Sequence, residues 1–222
     1  MTAKGNLLDL GLREYVYVWD LQRKLVDLRA AKLIPDTVIL VQHPHVFTVG
    51  KAVPGDAPSC IEGVPVFRIE RGGQWTYHGP GQLVGYPILN LDLRQRDIHG
   101  FLRKLEETVI RALTEFNIKA ERHQGQTGVW VQEKKIASIG AAVRNWTTFH
   151  GFALNINTDL SYFGLIEPCG MPSSTMTSMK AFLGHEVDLD AVKNHIIENF
   201  ETLFEVQLVE TGPEEVLAVP AR

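Results

Sequence analysis

Six short segments rich in branched and apolar residues, some separated by gaps too short to hold a helix, constrain how this chain can fold more than any other feature. They are Thr37 to Val41, Val64 to Ile69, Leu83 to Asn90, Gly128 to Val131, Lys135 to Val143 and Phe149 to Ile156, and each reads as a strand. Parallel neighbours need a crossover of about a dozen residues or more, whereas only 132–134 and 144–148 separate the last three segments. Antiparallel pairing is therefore expected there. Helical spacing of apolar residues marks Arg13 to Ala31, ending before Pro35, together with His99 to Phe116 and Leu189 to Phe204, the last with Asp188 or Asp190 as N-cap. Strands and helices alternate irregularly. The expected fold class is α/β (α+β), one domain over 1–222 with a mixed, largely antiparallel sheet flanked by helices. The tail 213–222, with Pro213, Glu214, Glu215 and Pro220, lacks periodicity and is expected to be loose.

A chain of 222 residues, 45% of them hydrophobic, can bury one substantial core. Its net charge of -4 disfavours nucleic acid and anionic membrane as partners. Neither a secretory leader nor a run of roughly 18 apolar residues is visible, so a cytoplasmic location is expected. In such a reducing compartment Cys60 and Cys169 are expected to be free thiols.

Between two strand-like segments, Arg71-Gly72-Gly73-Gln74-Trp75-Thr76-Tyr77-His78-Gly79-Pro80-Gly81-Gln82 crowds four glycines around an arginine and a histidine. An ordinary hairpin needs one or two glycines and has no use for Arg71 and His78 together. Bare backbone here lets a ligand or another strand come close. The lysine and hydroxyl residue of a phosphate loop are missing, as is the GxGxxG spacing of a dinucleotide site. His43 and His45 flank Pro44 without a matched carboxylate or cysteine cluster, so no metal site is expected. Arg71 suits a carboxylate or a phosphate, and a basic rim of Arg71, Arg144 and Lys51 is expected to meet acidic partners. For His78 three roles stay open: polarising a carbonyl, bonding the backbone, or satisfying a buried polar group.

A second informative segment is Glu167-Pro168-Cys169-Gly170-Met171-Pro172, where two prolines hold a cysteine in a stiff, non-helical loop. Cys60 also lies in a loop, so location alone does not choose between them. Lys135 opens the apolar strand Lys135-Ile136-Ala137-Ser138-Ile139-Gly140. It is either a solvated end residue or, if turned inward, a group that loses its proton readily and can serve a thiol as general base. General acid-base help is worth about 10²–10⁴-fold.

Together the RGGQWTYHGPGQ strip, the KIASIG strand and the PCGM loop resemble the lipoyl(octanoyl) transferases, with the likeness running from about Leu33 to Phe204 and a core of about 33–204. The resemblance implies a biotin/lipoyl protein ligase-like fold. It also implies transfer of an octanoyl or lipoyl group, in lipoate biosynthesis, from acyl carrier protein to a lysine of lipoyl domains. The acceptors it implies are the 2-oxoacid dehydrogenases and the glycine cleavage H protein. By motif match Cys169 is the acyl-thioester nucleophile and Lys135 the lysine that activates it. Arg71, Gly72, Gly73, Gln74, Trp75, Thr76, Tyr77 and His78, then Ser138, Ile139 and Gly140, then Gly151, Phe152 and Ala153, match the substrate-binding segments. No cofactor is implied, neither ATP nor metal, because the acyl group arrives as a thioester. Phe152 stands where leucine is common. Acyl walls are expected from Tyr77, Ile139, Phe152 and Leu154, and oxyanion donors from the N–H of Gly170 or of the glycine strip. Three rivals remain: an ATP-dependent lipoate-protein ligase, a cysteine thioesterase, and a non-catalytic acyl-carrier binding module.

Overall fold

In the computed structural model, which describes residues 3–94 and 96–218, the chain begins with β1 (Ala3–Leu12), α1 (Tyr15–Ala30), β2 (Thr37–Gln42), β3 (Val46–Val49) and β4 (Cys60–Ile61). It continues through β5 (Val64–Arg68), β6 (Trp75–His78), β7 (Gln82–Ile88), α2 (Ile98–Thr114), β8 (Glu121–His123), β9 (Gln126–Val131), β10 (Lys134–Arg144) and β11 (Thr147–Asn155). The last elements are α3 (Met179–Leu183), α4 (Leu189–Phe204), β12 (Val206–Glu210) and α5 (Pro213–Leu217). Eight strands form one sheet in the order β12-β1-β2-β7-β11-β10-β9-β8, and β4-β5-β3-β6 form a smaller one. In the large sheet β1 runs parallel to β2 and β12, and every other neighbouring pair is antiparallel. This is the mixed, largely antiparallel architecture expected from the short connections.

Strand alternation sorts the core into two layers. On β7 and β11, Leu83 pairs with Leu154 and both join Phe101, Leu105, Val109, Ile196 and Phe200 beneath α2 and α4. The next pair, Val84 with Ala153, faces the other way and packs with Val18, Leu21 and Leu25 of α1. Burying such a branched side chain contributes roughly 1.5–3 kcal/mol. Asp97 and Asp188 cap α2 and α4, accepting hydrogen bonds from the Gly100 and Asp190 amides, a contribution of about 1 kcal/mol each. The small sheet lies on the α1 side of the large one. Its outward residue Tyr77 packs with Phe47, Phe163 and Met176, while Thr76 and His78 face inward.

Beyond the six expected strands and three expected helices the structure adds β1, β3, β4, β6, β8, β12, α3 and α5, and the two ends of the chain differ most from the sequence expectation. No strand is expected before Arg13 from the sequence, yet β1 inserts between β2 and β12 and buries Leu7, Leu8 and Leu10. Leu8, Leu10 and Leu12 alternate with Asp9 and Gly11, but Leu7 breaks the alternation and both faces are buried at Leu7 and Leu8. The tail was expected to be loose, but 213–217 form α5, with Pro at its start and Val216 buried against the α1 layer. Pro220 lies outside the described residues. No helix among the described residues is long and apolar enough to cross a membrane.

Candidate active site

Cys169 sits on a tight loop between β11 and α3, with its backbone in the left-handed region at φ 54°. That conformation costs a non-glycine residue about 1–3 kcal/mol and persists only where neighbours impose it. Here the Cys169 N–H donates to the Trp75 carbonyl at 3.0 Å, and the amides of Gly170 and Met171 donate to Glu167 and Pro168. The loop thus hangs from β6. Cys169 is half-buried and Cys60 exposed, both as free thiols.

Lys135 approaches the same sulfur from the large sheet. The register between β10 and β9 slips just after it, and such an irregularity re-aims a side chain. Its stem crosses Gly128, where a Cβ would come within 2.4 Å of Lys135 Cε, so only glycine leaves room. Lys135 is 3% exposed, which makes it an inward lysine rather than a solvated strand end. Its Nζ donates to Cys169 Sγ at 3.5 Å and lies 5.6 Å from the centre of the Trp130 ring. The Lys135 carbonyl accepts from the Thr177 amide, tying β10 to the segment after the cysteine loop.

The sulfur borders a cavity between the two sheets, walled by Arg71, Thr76 and His78 on one side and Ser138, Gly140 and Ala153 on the other. Its free space is about 30 Å³, enough for a water or two. Ile139, Gly151 and Phe152 also border it, as do Tyr15, Tyr86 and His150, which sequence reasoning missed because nothing local marks them. A broader depression of about 550 Å³ opens beside the cysteine loop along Gln74, Trp75, Ile166 and Glu167.

Arg71 is buried, 9% exposed, and has no ion pair among the described residues. One Nη donates to the Gly72 carbonyl at 2.8 Å, and the other to the Gln74 carbonyl at 2.7 Å and to the Thr48 carbonyl and hydroxyl. A Cβ at Gly140 would press within 3.0 Å of Arg71 Cδ, so the glycine of KIASIG makes room for the arginine of RGG. Burial pulls the guanidinium below its usual range.

Burial holds His78 neutral, and a hydrogen-bond relay fixes its tautomer. The Thr177 carbonyl accepts from Asn155 Nδ2, Asn155 Oδ1 accepts from Gln82 Nε2, and Gln82 Oε1 therefore receives the Nδ1–H of His78 at 2.7 Å. Its Nε2 then carries a lone pair and no proton, which removes the carbonyl-polarising role. His43 spends both nitrogens on the Arg13 carbonyl and the Tyr86 hydroxyl, and His45 contacts the Tyr77 hydroxyl. Burial pushes His43 down to about 4 and His78 down to about 3. In the unfolded chain each titrates near 6.5, so below that pH the unfolded state binds more protons and folding stability falls. The loss is about 1.4 kcal/mol per pH unit for each histidine. Urea midpoints should decline between about pH 6.5 and 5, before most carboxylates protonate; a flat profile there would show that the two rings are not buried neutral.

Several expectations need correcting. Tyr77 points away from the cavity and stacks on Tyr162 at a centroid distance of 5.0 Å, because alternation on β6 turns it opposite to Thr76 and His78. Phe152 turns its ring over Gly85 towards the α2 layer yet still borders the cavity, whereas Leu154 packs in that layer and is not among the residues bordering it. Gly72 and Gly73 serve backbone pairing, to Ala141 and Ala52. Of the expected basic rim, Arg71 is buried and therefore no part of it, Arg144 is exposed but paired with Asp27 at 2.6 Å, and Lys51 is exposed. The Gly170 amide is already taken by Glu167 at 3.1 Å and is no free oxyanion donor.

Residues 14–201 match the family model for the lipoyl protein ligase A/B catalytic domain. The octanoyltransferase of Syntrophotalea carbinolica is 45% identical over 204 residues, covering 91% of this chain and 96% of that protein. The octanoyltransferase of Caldanaerobacter subterraneus subsp. tengcongensis is 43% identical, covering 93% of both chains. Among solved structures, lipoate-protein ligase A bound with ATP superposes with a TM-score of 0.73 at 20% identity, over 98% of this chain and 93% of that one. That likeness establishes the biotin/lipoyl ligase fold and nothing of the ligand. With the family model matched across most of the chain and close relatives along nearly its full length, this enzyme belongs to the lipoyl protein ligase A/B catalytic domain family, among its octanoyltransferases.

Proposed function

We propose that the chain carries an octanoyl group from acyl carrier protein to a lysine of a lipoyl domain through a thioester on Cys169, with Lys135 moving the protons. One contact supports this above all: a buried lysine amine 3.5 Å from a half-buried thiol. In the first half-reaction the thiol proton passes to Lys135 Nζ and the sulfur attacks the donor carbonyl. The new C–S bond forms as the donor's C–S bond breaks, and the departing thiolate takes the proton from Lys135. In the second, the acceptor amine attacks the Cys169 thioester, gives a proton to Lys135 and becomes an amide as the sulfur leaves. Thioester exchange costs almost nothing, and the amide is the stable product, so neither nucleotide nor metal is required. Two bulky protein substrates thereby use one site in turn. The depression along Gln74 and Trp75 offers the donor's arm a path to the sulfur.

Intact mass spectrometry after exposure to octanoyl acyl carrier protein tests this. One octanoyl adduct on Cys169, discharged by added lipoyl domain, is the expected result. Discharge as free acid without acceptor would favour a thioesterase, and modification of the lipoyl domain only with free lipoate and ATP would favour a ligase.

A further inference from the structure

We infer that Arg71 Nε–H and Thr76 Oγ1–H form the oxyanion site of this reaction, an assignment that rests on the acyl-transfer reading above. Both atoms are fully buried and without a hydrogen-bond partner among the described residues, although the residues carrying them are only 9% and 3% exposed. A buried donor left unpaired costs about 1–3 kcal/mol. Two such donors on one cavity wall, beside a nucleophilic sulfur, have a use once negative charge develops there.

Geometry favours these two over the other candidates. Arg71 cannot swing freely, because its Nη atoms are pinned by the carbonyls of Gly72, Gln74 and Thr48. The planar guanidinium is therefore oriented in advance, and Nε is its one nitrogen without a partner among the described residues. Thr76 directly follows Trp75, whose carbonyl holds the Cys169 amide at 3.0 Å, so β6 carries its hydroxyl next to the cysteine loop. Tyr15 Oη and His150 Nε2 also lack hydrogen-bond partners and border the same cavity, but His150 Nε2 faces the Glu70 carboxylate at 3.7 Å and Tyr15 stacks on Phe67. Backbone alternatives are occupied: the amides of Gly170 and Gly72 already donate to Glu167 and Ala141.

When the Cys169 thiolate adds to the thioester carbonyl, the C–S bond forms and the π pair moves onto oxygen. Arg71 and Thr76 receive that oxygen until the pair returns and expels the donor thiolate. Acceptor attack generates the same charge, so both half-reactions depend on the two donors. Donors fixed beforehand need no rearrangement when the charge appears.

The test separates oxyanion stabilisation from thiol reactivity by comparing two reactions of the same sulfur. Acylation by an octanoyl thioester passes through an oxyanion, whereas alkylation by iodoacetamide is a direct displacement at carbon and does not. Arg71→Lys keeps the charge but lacks Nε, and is expected to slow acylation on the order of 10²-fold. Thr76→Val should slow it at least about tenfold, and Thr76→Ser, which keeps the hydroxyl, should restore most of the rate. Alkylation should stay within about twofold of the unmodified enzyme in all three. Acylation at the original rate in Thr76→Val or in Arg71→Lys, or equal losses in both reactions, would overturn the assignment. Failure of the unmodified enzyme to acylate at all would instead sink the proposed function.

Discussion

Octanoyl transfer by Cys169→Ser should fall by roughly a thousandfold or more, the scale seen when a covalent nucleophile is removed, while the folded state is retained. Serine fits because the strained loop is held by backbone contacts from Trp75, Glu167 and Pro168 and not by the sulfur. Its hydroxyl is a far weaker nucleophile, and the ester it forms slowly would discharge poorly to an amine. Rapid-quench assays with octanoyl acyl carrier protein and a lipoyl domain, together with thermal melting, check both halves of this expectation. Turnover within tenfold of the original would remove Cys169 from the reaction path and leave direct transfer between the two protein substrates.

A second large effect is expected at Lys135. Replacing it with methionine keeps a long apolar stem against Gly128 and Trp130 while deleting the amine. Loss of general acid-base help should lower the rate about 10²–10⁴-fold. Because Nζ serves the thiol first and the incoming amine second, both half-reactions should slow. Single-turnover acylation, and discharge of a pre-formed adduct to the lipoyl domain, can be timed separately. Slowing of acylation alone would confine the lysine to the thiol.

Some features were legible in the chain because they are local. The antiparallel run β9 to β11 follows from gaps of a few residues, and α2 and α4 follow from apolar spacing and an aspartate at each start. The proline-bracketed cysteine loop is likewise written in adjacent residues. β1 carries only the short alternation Leu8, Leu10, Leu12, and its place between β2 and β12 is set by pairing with strands distant in the chain. Tyr77 and Leu154 miss the cavity for a related reason. A motif names residues in sequence, but a strand turns alternate ones to opposite faces, and the face that borders the cavity depends on which layer docks there.

The sequence by itself determined the chemical inventory: one thiol on a rigid loop, one lysine opening an apolar strand, and an arginine and a histidine among glycines. Only the tertiary structure decided which of these meet and in what state. Lys135 and Cys169 are 34 residues apart, and their contact exists because β6 holds the loop while β10 re-aims the lysine. Arg71 became a buried, locked cation instead of a surface charge because three carbonyls and Gly140 close around it. Burial and hydrogen-bond partners set protonation and reactivity, and both are properties of the packed layers, not of any single stretch of chain.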